Sequence, residues 1–193
     1  MSIVSGTSRP RAQVPGEIGI WAFVTGDLIV FSVFFILIAI GQKEMAEVFS
    51  TSRESLNLYF GLCNTLLLLT GSWFVAIGVE RCRDGQGSDN ARWFKLAIGC
   101  GLAFVLNKIF EWEAKIGAGF TPLTNDFFMY FFIFTGIHLL HVVVGVVVLI
   151  FLLKVSQRPT LNSRDIRTLE SGGIFWHLVD LLWIMLFALL YLL

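Results

Sequence analysis

The stretch FFMYFFIFTGIHLLHVVVGVVVLIFLL, residues 127–153, decides the fold, because it contains no Asp, Glu, Lys or Arg. A helix rises about 1.5 Å per residue, so the stretch is long enough to cross a hydrocarbon core of about 30 Å. Four further apolar runs approach the same length, and together the five spans are expected over about Ile18–Ile40, Leu56–Val79, Trp93–Trp112, Phe127–Leu153 and Ile174–Leu193. Each must be helical, since an open strand in lipid would leave its backbone groups unpaired. The expected fold is all-α: an integral membrane bundle of five transmembrane helices forming one domain over 18–193, preceded by a polar segment 1–17.

Composition agrees with this reading. Of 193 residues, 56% are hydrophobic and 15% charged, and the mean hydropathy is +0.77. A soluble domain of this size could not hide so much apolar surface behind so few charges. The 14 basic and 14 acidic residues cancel, which predicts no nucleic-acid or other polyanionic partner. Cys63, Cys82 and Cys100 lack a C-x-x-C spacing, which suggests neither a disulfide framework nor a zinc site. The first apolar run is too long for a signal-peptide core, so it is expected to be retained.

The basic residues fix an expected orientation. Arg9, Arg11, Arg81, Arg83, Arg92, Lys95, Lys154, Arg158, Arg164 and Arg167 fall on one side of the five spans, against Lys43, Arg53, Lys108 and Lys115 on the other. The positive-inside rule then places the N-terminus in the cytoplasm and the C-terminus outside a bacterial inner membrane.

Polar residues inside the spans need partners, because a charged Asp at a helix centre costs about 2.5–3.5 kcal/mol on insertion scales. Asp27 lies in the first span, His138 and His141 in the fourth, and Trp176, His177, Asp180 and Trp183 in the fifth. From the expected cytoplasmic ends, Asp180, Asp27 and His141 lie roughly 9, 13 and 18 Å deep. A buried cluster of Asp27, His138, His141, His177 and Asp180 is therefore expected, as hydrogen-bonding glue between helices or as a protonatable relay. H-x-x-H supplies two ligands and the chain has 3 His, so no metal site and no haem-copper core are expected. Near the outer end of the third span, Asn107, Lys108, Glu111 and Lys115 are spaced so that both lysines reach Glu111, an expected neutralisation of charge at the membrane interface. The scattered glycines, Gly61, Gly71, Gly101, Gly136 and Gly145 among them, are expected to permit close helix packing.

These signatures, in this order, resemble subunit III of the haem-copper oxidases. The matching segments are TGDLIVFSVFF in the first span, NTLLLLTGS from Asn64 to Ser72, FEWEAKIGAGFTP from Phe110, FFIFTGIHLLHVVVG from Phe131 to Gly145, and ESGGIFWHLVDLLWIMLF from Glu170 to Phe187. FFMYFFIFTGIHLLHV and WHLVDLLWIMLFALLYLL look most like the NorE branch associated with nitric oxide reductase, with quinol-oxidase subunit III the nearest rival. The resemblance implies a cofactor-free accessory subunit packed against a catalytic subunit that carries the haem and metal, with lipids as further neighbours. Asn64, Thr65, Glu111, Gly136, His138, His141, Glu170, Trp176, His177, Asp180 and Trp183 match motif positions. Asp27 stands where long family members carry Glu, and their two additional N-terminal helices have no counterpart here. A stand-alone transporter or channel is the competing expectation, although no inverted repeat is visible. No G-x-S-x-G or H-E-x-x-H pattern points to an independent enzyme.

Overall fold

The computed structural model describes residues 15–85 and 91–193. The first fourteen residues, including Arg9 and Arg11 and most of the expected N-terminal segment, lie outside the described residues. The chain is all-helical: α1 (Ile18–Glu44), α2 (Ala46–Glu54), α3 (Leu58–Arg83), α4 (Ala91–Gly117), α5 (Asp126–Ser156) and α6 (Ser163–Phe187), closed by a π-helical turn, Ala188–Leu192. Five of these, with the π turn counted into α6, are long and apolar enough to cross a membrane.

Side-chain caps set several helix starts. The Asn57 carboxamide accepts from the Tyr59 N–H at 3.0 Å, and that of Asn125 from the Phe128 N–H at 3.0 Å. At α6 a full capping box forms: Asn162 accepts from the Asp165 N–H at 2.9 Å, and Asp165 accepts from the Asn162 N–H at 3.1 Å. Arg158, just past α5, also donates to Asp165, so the last interhelical turn is tied at both ends. This cap corrects the expected start of the fifth span. The apolar count begins at Ile174, but the helix starts at Ser163, since a capped polar helix continues beyond the hydrocarbon without penalty. Asn162→Ala is expected to cost about 0.5–2 kcal/mol, read as a lower thermal midpoint of the chain in detergent.

The second correction is α2, which sits where the sequence reads as a polar linker. Phe49 anchors it, edge-on to Phe127 with ring centroids 5.3 Å apart. Asn125 donates to the Ser52 hydroxyl at 2.8 Å. Lys115 donates to the carbonyl of Ser55, the C-terminal cap residue of α2, where a cation favourably meets the helix dipole.

α6 is the central helix, touching α1, α3 and α5, while α4 bridges α3 and α5. In its most apolar window α6 has 56% of residues buried, against 11% for the peripheral α1. At the centre the Trp176 indole is received by glycines from three helices. A Cβ added at Gly101 of α4 would lie 2.8 Å from the ring, one at Gly145 of α5 2.9 Å, and one at Gly71 of α3 3.6 Å. The first two approaches exclude any side chain without repacking, which is how small residues let helices close in a membrane. Gly136 differs, because a Cβ there would meet Trp112 at an ordinary 3.4 Å.

Candidate functional site

The expected five-residue cluster does not form; its members divide among three places. Asp27 of α1 faces His141 of α5, with Oδ1 3.2 Å from Nε2. The His141 Nδ1 lies 2.8 Å from the Ile137 carbonyl, and a carbonyl can only accept, so Nδ1 carries hydrogen. A hydrogen bond to Asp27 then needs a proton between Nε2 and the carboxyl. Its side chains retain 12% and 19% exposure, Asp27 the lower, at the outward edge of the bundle.

The second place is on α6. His177 Nδ1 lies 2.6 Å from the Ser72 hydroxyl of α3. The imidazole opens onto a cleft of about 340 Å³ at the end of the bundle where α1 and α6 begin, lined by Pro15, Ala76, Glu80, Arg83, Glu170 and His177 among others. Glu170 accepts from the Gly16 N–H at 3.0 Å, so the chain entering α1 is fastened to α6. Asp180 is buried one turn further along beside the Ser72 hydroxyl, its Oδ1 without a hydrogen-bond partner among the described residues. His138 is in the third place, enclosed by aromatic rings. The division has a geometric cause. Three residues of helix turn through about 300°, leaving His138 and His141 some 60° apart. One points at α4 and α6, the other at α1.

The set on α4 also differs from expectation. Lys108 and Glu111 are enclosed within the bundle, with exposures of 0% and 1%. Lys108 donates to Glu111 Oε2 at 2.8 Å and to the Tyr191 hydroxyl at 3.0 Å. Tyr191 in turn donates to Glu111 Oε1 at 2.6 Å. The ammonium lies over the rings of Phe131 and Trp183, 4.7 and 4.9 Å from their centroids. A buried pair of this kind persists because hydrogen bonds and ring faces together replace water. Lys115 donates its hydrogen bond to α2 instead, while its charge still lies near Glu111. Asn107 of α4 donates to Asn64 of α3 at 2.8 Å, and Trp183 donates to the Thr65 hydroxyl at 3.0 Å. The sequence reading missed Tyr191 and Ser72. The signal for Tyr191 was a lone hydroxyl in the otherwise apolar close ALLYLL.

Among the described residues, no three His, Cys, Asp or Glu side chains converge as a metal ion requires. What does converge is a set of polar contacts, each joining two or more helices of a multi-span membrane protein. The profile described as cytochrome c oxidase subunit III matches residues 4–193, and the chain belongs to that family. It is 28% identical to a probable cytochrome c oxidase subunit 3 of Mycobacterium leprae over 98% of this chain and 92% of the relative. It is 26% identical to the cytochrome c oxidase subunit 3 of Thermostichus vulcanus, over 91% and 86%. A probable quinol oxidase subunit 3 of Staphylococcus aureus is 27% identical, over 95% and 92%.

Proposed function

We propose that this chain is an accessory subunit of a respiratory haem-copper reductase, binding no haem or copper itself, and that the complex it serves reduces nitric oxide. The observation that carries the accessory role is how the interior polar groups are used. Lys108, Glu111 and Tyr191 hydrogen-bond to one another, and Asn64, Asn107, Thr65 and Trp183 pair between helices, with His138 and the Asp180 Oδ1 as exceptions. A conduit would need such groups free to bind and release cargo; a scaffold needs them engaged. Nitric oxide as the acceptor is supported by the likeness of residues 127–142 and 176–193 to the NorE branch. The relatives named as cytochrome c and quinol oxidase subunits favour a second reading, in which the partner reduces oxygen.

The catalytic partner brings the metal chemistry, and this chain brings a rigid apolar wall. α1 is the best placed to meet that partner, because its outward face is apolar and glycines 19 and 26 leave open space around their Cα atoms. The orientation with the N-terminus in the cytoplasm belongs to this reading, as does placement in the bacterial inner membrane.

The test is to tag the chain at its N-terminus, purify it from its own membrane in mild detergent, and identify what co-purifies. A haem-containing subunit in fixed ratio is expected, and its turnover with nitric oxide or oxygen separates the two readings. A colourless chain purified alone, active in vesicle flux assays, would replace both with transport. Asp27→Ala strands His141 and is expected to cost about 1–3 kcal/mol, lowering the yield of the complex. Unchanged yield and turnover in that variant would remove the Asp27–His141 pair from any role in assembly.

A further inference from the structure

His138 is the one histidine the contacts above leave unexplained. It is fully enclosed, and neither ring nitrogen meets a hydrogen-bond partner among the described residues. A neutral imidazole always presents one N–H and one lone pair, and burying both unmet is costly in a medium without water. Two aromatic rings lie against it: Phe104, nearly perpendicular at 5.6 Å between centroids, and Trp183, tilted at 5.3 Å. A hydrogen-bond partner of an imidazole nitrogen approaches in the ring plane.

A hydrogen-bond donor in excess lies against the same aromatic box. Lys108 follows Phe104 by one turn of α4, and its ammonium lies 4.9 Å from the centroid of Trp183, the ring that also covers His138. It lies 4.7 Å from that of Phe131, two turns before His138 on α5. An ammonium has three N–H donors; two go to Glu111 and Tyr191, leaving one. Lys108 can only donate, and the unprotonated nitrogen of His138 can only accept. A water molecule complements both, accepting from the lysine and donating to the imidazole.

We propose that the bundle holds an internal water bridging His138 to the remaining N–H of Lys108. Such waters are a normal part of globular interiors where polar groups face one another without direct contact. The bridge gives α5 a hydrogen-bonded link to the Lys108–Glu111–Tyr191 network, whose hydrogen bonds among the described residues otherwise connect α4 and the end of α6. It is independent of which reductase the chain serves.

High-resolution cryo-electron microscopy of the purified complex, or of the chain in nanodiscs with a rigid binder, tests this directly. Expected is a density peak within hydrogen-bond distance of a His138 nitrogen and of Lys108 Nζ. Ordered waters elsewhere in the bundle with none at His138 would overturn the proposal. A second measurement uses His138→Phe in the wild-type chain and in the Lys108→Met/Glu111→Leu chain. With a bridging water the substitution lowers the thermal midpoint in the wild-type background by a few degrees, and by less in the double-variant background. A midpoint that rises, or falls equally in both, would mean that the imidazole and Lys108 share no water.

Discussion

Glu111→Leu lowers the stability of the bundle by about 3–5 kcal/mol, whereas Lys108→Met/Glu111→Leu recovers most of the loss. The single change leaves an ammonium at 0% exposure with only the Tyr191 hydroxyl and three ring faces around it. None of these carries a formal negative charge. The double change removes both charges and fills the space with apolar groups of similar length. Desolvating two ions offsets much of their mutual attraction, so an apolar replacement of the whole pair is expected to be nearly neutral. Denaturant or thermal titration of the two variants in detergent measures the difference. If Glu111→Leu is as stable as the parent, Lys108 has found another counter-charge or lost its proton, and the pair does not hold α4 to α6.

Trp176→Ala is expected to cost about 3–5 kcal/mol, the range for removing a fully buried large aromatic. In a bilayer the loss is mainly one of packing, because lipid offers the exposed helices little hydrophobic penalty. The glycine sockets supply a control. Gly145→Val alone drives a branched side chain into the indole, whose nearest atom would already be 2.9 Å from a Cβ, and is expected to cost at least about 1–3 kcal/mol. In the Trp176→Ala chain the same substitution meets a void, so its effect reverses and stability rises. Additive losses in the double variant would show that Trp176 and Gly145 do not share a contact. Gly136→Ala, where the added Cβ meets Trp112 at 3.4 Å, is expected to be tolerated.

The five spans were legible because lipid imposes a simple rule: a long uncharged run must be a helix, and uncharged runs are visible without knowing the fold. The same rule hid two features. It stopped the last span at Ile174 because SRDIRTLE is polar, although a capped helix continues through it. It also read AEVFSTSRE as a linker, although one phenylalanine and two polar contacts to Lys115 and Asn125 hold it as a helix. For the polar residues, spacing indicated shared faces but not what each face meets. His138 and His141 differ by about 60° in direction, which separates an aromatic box from a carboxylate. Lys108 and Glu111 were recognised as a pair, but their enclosure in the bundle depended on Tyr191, 80 residues beyond Glu111. The π-helical turn that carries Tyr191 was read as ordinary helix.

The position of Tyr191 has a consequence for biogenesis. Membrane proteins are synthesised from the N-terminus, so Lys108 and Glu111 enter the bilayer well before the hydroxyl that completes their hydrogen bonds leaves the ribosome. Until then α4 carries an incompletely satisfied ion pair, a state that membrane quality control can recognise. Leu193 is also engaged, since Gln42 of α1 donates to its carbonyl. Residues 188–193 thus tie α6 to both α4 and α1, and a chain cut before Ala188 would keep five long hydrophobic segments yet lack these contacts.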